Sequence, residues 1–177
     1  VLGTFPMHPH FTPTDRPVGW CMDHTTLVFD YPRMKPGHGY GSGHFYTCNI
    51  SLAREVVLQL GGFDEGFVRM GAEDIEFGVR LERLGGHVFH RPDCVAQHAH
   101  RLDSHGLARM FEFRGRGGVH LFVAQPSLDA PHYSAMPVER IGAFMAQHAR
   151  LDPLLARLHE ALARADALPC VTSGEAI

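Results

Sequence analysis

The hydrophobic pattern is clearest between residues 51 and 86. Ser51 opens a helical stretch, Leu52 to Leu60, which Gly61-Gly62 stops as a helix C-cap rather than as a ligand-binding pair. A second helix is predicted from Glu73 to Leu84, ended by Gly85-Gly86. On it Phe77, Leu81 and Leu84 form one apolar stripe, Ile75 and Val79 form another, and Glu76, Arg80 and Arg83 share a polar face. Two stripes on one helix predict that it is covered on more than one side.

Elsewhere the signals are shorter. Val1-Leu2-Gly3 reads as the end of a buried strand, and Pro6, Pro9, Pro13 and Pro17 make residues 4–19 a loop. Thr25–Phe29 and Phe45–Ile50 read as strands. Between them, Gly37, Gly39, Gly41 and Gly43 make 32–44 a mobile loop beside a cleft. That glycine spacing fits no phosphate-binding motif. His87–His90 and Cys94–His98 are strand candidates separated by Arg91-Pro92-Asp93. Helices are predicted over Ser104–Gly115, Val138–Arg150 and Pro153–Ala167, the last with Leu154, Leu155, Leu158 and Leu162 packed inward, and a frayed tail after Pro169.

Composition narrows the classes. A chain of 177 residues with 45% hydrophobic and 20% charged residues suits one globular domain. No apolar run approaches the roughly 18–20 residues that span a bilayer. The first residue is Val, so the sequence is read as part of a longer or processed chain. A net charge of -3 removes the electrostatic footprint of a general nucleic-acid binder. Lys35 is the only lysine, and fourteen histidines leave room for metal or acid–base chemistry. Cys21, Cys48, Cys94 and Cys170 form no Cys-x-x-Cys pair, which predicts reduced, partly buried thiols. His8-Pro9-His10 and His98-Ala99-His100 lack a third zinc ligand at recognisable spacing, and no G-x-S-x-G elbow supports hydrolysis.

The densest stretch is Gly61-Gly62-Phe63-Asp64-Glu65-Gly66-Phe67 followed by Gly71-Ala72-Glu73-Asp74-Ile75-Glu76-Phe77 and Arg80-Leu81. Local physics gives Glu73-Asp74 a plain reading, carboxylates complementing a helix dipole. The larger string adds a second. Gly-x-Phe-x-x-Cys-Asn-Ile-Ser-Leu-x-Arg at 43–54 precedes it, and Arg91-Pro92-Asp93 and a Val-x-x-His ending at His98 follow. This order resembles the C-terminal half of GT-A-fold, family 2-like inverting glycosyltransferases and the related galactosyltransferase C-terminal domain, over about residues 1–127.

The resemblance implies an α/β fold, a partial GT-A mixed sheet with flanking helices and a C-terminal helical extension. Residues 1–127 would be the acceptor-side catalytic half, 128–168 the extension and 169–177 a tail. It implies sugar transfer from a nucleotide-sugar donor to a saccharide or other hydroxyl acceptor, as in polysaccharide biosynthesis. Asp74 is then the general base and Glu73 an acceptor ligand. Asn49 shapes the cleft or bonds a helix start, and Trp20, in its loop, stacks on a sugar or is buried in the core. His98, with His100 pointing the same way along a strand, would complete a Mn²⁺ or Mg²⁺ site at the donor diphosphate. The family's Asp-x-Asp motif is absent, so a truncated, inactive fragment with weak metal binding is expected, with the rest of the same polypeptide at its N-terminus as partner. A cytoplasmic location is expected, with any membrane association supplied by missing parts. The other class left open is a noncatalytic carbohydrate- or protein-binding domain on the same scaffold.

Overall fold

The structure is a computed structural model that describes residues 1–68 and 71–125, with Arg157, Glu160, Ala161, Ala163 and Arg164 as further helical positions. The helices predicted over 138–150 and 153–167, the tail and Cys170 therefore lie outside the described residues, or nearly so. In chain order the elements are β1 (Leu2–Thr4), α1 (Pro17–His24), β2 (Gly39–Tyr40), α2 (Arg54–Gln59), α3 (Glu73–Arg83), β3 (Val88–Val95) and α4 (Ser104–Ala124). Short 3₁₀ turns occupy Tyr31–Arg33, Ser42–His44 and Thr47–Asn49. The three strands make a small mixed sheet in the order β1-β3-β2, with β1 parallel and β2 antiparallel to β3. The α/β class expected from the sequence is the class observed.

The α3 helix is the hinge of the packing. Its Phe77 enters the main core with Leu2, Phe45, Tyr46 and Val88, while Ile75 and Val79 enter a second core with Ala72 and Leu121. Both stripes are thus covered, except that Leu84 stays exposed. The polar face is internal in part: Arg83 is exposed, while Glu76 and most of Arg80 are enclosed. Glu76 is only 2% exposed and is held by Arg80 through Nε (2.8 Å) and Nη2 (2.6 Å), and by Gln125 Nε2 (2.8 Å). Arg80 also donates to the carbonyls of Leu60 and Gly62. One buried ion pair therefore ties the end of α2, the following glycine turn and the end of α4 to α3. Gly61 and Gly62, both at φ 77°, provide that turn.

Several local expectations are corrected. Pro17 begins α1 rather than continuing a loop, because a proline in the first helical turn loses no hydrogen bond. Thr25–Phe29 is not a strand: the Thr25 hydroxyl and N–H both return to the Cys21 carbonyl at the end of α1. Phe45–Ile50 contains a 3₁₀ turn, and only Ile50 makes a bridge, to Leu2. Ser51 caps no helix; it pairs with the backbone of Val1, and α2 starts at Arg54. The loop over 32–44 carries β2 and a 3₁₀ turn. The two expected strands around Arg91-Pro92-Asp93 are one strand with an irregular register against β1, Leu2 opposite His90 and Thr4 opposite Val95. Proline has no N–H for a ladder, so it sits where the pairing slips. The α4 helix runs nine residues past the predicted Gly115. Among the described cysteines Cys21 is half-buried, while Cys48 and Cys94 are exposed rather than partly buried.

Candidate active site

The turn before α3 sets the geometry. Gly71 (φ 140°) and Ala72 (φ 72°) both take left-handed backbone, the second at a strained position for a residue with a side chain. A methyl group on Gly71 would stand 2.5 Å from the Phe113 carbonyl oxygen and 3.1 Å from the Arg114 Cα. One on Gly117 would fall 1.5 Å from the Gly71 carbonyl oxygen. Glycine at these positions lets α4 lie directly on the turn. Glu73 then reaches back to accept the Gly71 N–H at 2.5 Å, which latches the turn.

Asp74 is the next residue, half-buried, with Oδ1 accepting the Ile75 N–H at 2.8 Å. Burial pushes its carboxyl up to about 6, the adjacent Glu73 charge adds to this, and the Ile75 N–H and the Arg114 guanidinium pull the other way. The same charge is felt by two neighbours. Although Cys48 as a residue is exposed, loss of water around its sulfur, then the Asp74 charge, raises the thiol to about 11; burial raises the Tyr46 hydroxyl, the Asp30 N–H it accepts opposes this, and the Asp30 and Asp74 charges add to it. Tyr31 is pushed well above the ordinary tyrosine range by burial, then by Cys48 and Tyr46. Its ring meets Tyr46 at 5.7 Å and His90 at 5.8 Å, and its hydroxyl and both His90 nitrogens find no hydrogen-bond partner among the described residues. Asp74 thus sits among Glu73, Tyr46, Cys48 and Arg114, with Tyr31 behind Cys48.

The other predicted site residues are dispersed. Asn49 Nδ2 donates to the carbonyls of Thr4 and Cys94, each at 2.9 Å, which bridges β1 and β3 where their register slips. Trp20 is neither in a loop nor in the core. It is 36% exposed on α1, stacked on His24 at 5.4 Å, and no group that perturbs Asp74 belongs to that helix. His98 and His100 do stand together, ring centroids 5.3 Å apart. His98 also stacks on Phe5 at 4.6 Å, its Nδ1 is buried without a partner among the described residues, and burial lowers its pKa. A neutral imidazole suits metal ligation. Yet no group of three His, Cys, Asp or Glu able to hold a metal ion occurs among the described residues. Two imidazoles alone do not fit Mn²⁺ or Mg²⁺, which prefer several oxygen ligands.

Tyr31, Tyr46, Cys48 and Arg114 are the site residues that sequence reasoning did not single out. Cys48 lay inside the quoted 43–54 string, and Tyr46 occupied one of its unspecified positions. Arg114 carried no motif signal at all.

A small mixed sheet with flanking helices and a Glu-Asp pair on a helix N-terminus is consistent with part of a glycosyltransferase domain of the GT-A type, and the similarities to known proteins point the same way. Residues 29–105 match the family described as the N-terminal domain of galactosyltransferase. The matched span holds the motifs that carry the sequence resemblance. Among curated proteins, the chain is 46% identical over 54 residues to an uncharacterized glycosyltransferase, YfnE, of Bacillus subtilis (strain 168). That alignment takes in 30% of this chain and 14% of the relative. It is 41% identical over 61 residues to validoxylamine A glucosyltransferase of Streptomyces hygroscopicus subsp. jinggangensis (strain 5008), covering 34% and 14% respectively. The chain thus spans about one seventh of the length of these relatives. No solved structure matches it.

Proposed function

We propose that this chain is the acceptor-side catalytic part of an inverting, family 2-like glycosyltransferase that moves a sugar from a nucleotide-sugar donor to a saccharide or other hydroxyl acceptor. The observation that carries the reading is Asp74: a half-buried carboxyl on the first turn of α3, raised to about 6, within the segment that matches the galactosyltransferase family. A base in that range is ionised at neutral pH and still basic enough to take a proton as an alcohol attacks. In the proposed reaction, a carboxylate oxygen of Asp74 accepts the hydroxyl proton and the acceptor oxygen bonds to the anomeric carbon. The bond to the nucleoside diphosphate breaks with its electron pair leaving on the phosphate oxygen. One displacement inverts the anomeric centre. The turn latched by Glu73 contributes by fixing the carboxyl before the acceptor arrives. Mn²⁺ or Mg²⁺ with His98 as a ligand is part of the proposal for the longer protein; the described residues do not form that site, and no step above runs through it.

The test is the stereochemistry of the product. The full natural polypeptide, given nucleotide-sugar donors and simple saccharide acceptors, should form a glycoside whose anomeric configuration, read by NMR coupling constants, is opposite to that of the donor. Retention of configuration overturns the single-displacement reading.

A further inference from the structure

The turn into α3 carries a side chain at a position that favours glycine. Among the described residues, Ala72 is the only one other than glycine at positive φ (φ 72°, ψ 3°). An L-residue there crowds its Cβ against the backbone, a cost that glycine escapes. Gly71 beside it has no room for a side chain, because the Phe113 carbonyl of α4 lies where its Cβ would go. Ala72 keeps its methyl group, is only 6% exposed, and belongs to the core cluster of Ile75, Val79 and Leu121 that joins α3 to α4. The gain from burying one methyl group and the cost of left-handed backbone are of similar size. Fold stability alone therefore does not favour alanine over glycine here.

The methyl group has a second effect. The Ala72 carbonyl accepts the Glu76 N–H at 2.9 Å, the hydrogen bond that closes the first turn of α3 around Glu73 and Asp74. Helix ends fray, because their first N–H groups lack partners within the helix. Glycine at 72 would follow Gly71 and make a two-residue hinge before that turn. A methyl group seated in the core cluster removes the hinge.

We propose that Ala72 is a positioning residue for the transfer step: its buried methyl group, held on strained backbone, fixes the first turn of α3 and with it the Asp74 carboxyl. The inference rests on the transferase reading above. In this role Ala72 acts through Asp74, where misplacing the base lowers the rate more than it weakens acceptor binding.

The experiment compares the full natural polypeptide with its Ala72→Gly and Ala72→Ser variants. It reads melting temperature, hydrogen exchange at the Ile75 and Glu76 amides, which bond Asp74 Oδ1 and the Ala72 carbonyl, and transfer kinetics. Ala72→Gly should melt close to the wild type, exchange faster at both amides, and lose about ten- to hundredfold in kcat with acceptor KM held. The acid limb of its pH–rate profile should move below about 6, toward the ordinary carboxylate range, as the freed turn lets water reach Asp74. Ala72→Ser keeps the Cβ, so it should exchange more slowly than Ala72→Gly and recover part of the lost rate, although its buried hydroxyl lowers the melting temperature. A glycine variant that melts several degrees lower overturns the proposal, since Ala72 is then a packing residue. Unchanged exchange at the two amides overturns it as well, as does faster exchange with kcat and pH profile unchanged, or a serine variant that recovers nothing. Absence of transfer in the wild type counts against the transferase reading, and melting and exchange still decide whether the methyl group holds the turn.

Discussion

Asp74 shows how a single carboxyl changes meaning once its surroundings are known. In the sequence it was equally a helix-dipole residue. Its placement makes it a carboxyl that folding holds partly protonated near pH 6, and that has consequences for rate and stability. As a base it must be ionised, so kcat/KM for transfer should fall as pH drops through about 6 and level off above it. Glu73→Gln removes a negative neighbour, lowers the Asp74 pKa and should move that acid limb to lower pH; a pH–rate profile of each protein checks it. The stability effect has the opposite sense from a capping residue. A carboxyl whose folded pKa lies above its unfolded value of about 4 contributes stability below that pH and loses it as pH rises through about 6. At pH 7.5, therefore, Asp74→Asn should melt no lower than the wild type, with a gain on the order of 1 kcal/mol that disappears toward pH 4. A melting temperature several degrees lower would restore the capping account. The site was legible at Glu73-Asp74 because two adjacent carboxylates in an ordered motif string are informative. Arg114 was not, because it reaches the site across a contact between α4 and Gly71 that no local pattern encodes.

At the level of elements, α3 and the glycine stops follow from the sequence, whereas α1, the far end of α4 and most of the strand pairing do not. Gly61-Gly62 and Gly85 ended their helices because left-handed glycine stops a helix by a local mechanism. The β-branched and aromatic runs at Thr25–Phe29 and Phe45–Ile50 looked like strands but serve as a helix stop and a 3₁₀ turn, since strand formation depends on a partner the local sequence does not name. The helix predicted over Ser104–Gly115 continues through Gly117, which is a contact point. Gly117→Ala drives a methyl group into the Gly71 carbonyl, so the turn carrying Glu73 and Asp74 must move. A loss of about 1–3 kcal/mol is expected in thermal or denaturant unfolding, together with impaired transfer in the folded fraction. The Glu76–Arg80 pair makes a second prediction. Glu76→Ala leaves Arg80 without its carboxylate in a largely enclosed site and should cost about 3–5 kcal/mol. A double-mutant cycle with Arg80→Ala should return most of that as coupling energy; additive losses would show that the two do not act as a pair.

Across the described molecule, α3 enters both cores and α4 also reaches both, through Leu107 and Met110 on the sheet side and Leu121 on the other, so the turn that carries Glu73 and Asp74 is held from both directions. No helix among the described residues is long and apolar enough to cross a membrane. What the whole protein does hangs on whether this turn delivers a base to a sugar hydroxyl. The most direct measurement is the rate of sugar transfer by the full natural polypeptide carrying Asp74→Asn, beside its melting temperature at the same pH. The account predicts a roughly 10²–10⁴-fold loss of kcat in a protein that melts no lower than the wild type. Transfer at near wild-type rate in that folded variant would contradict it.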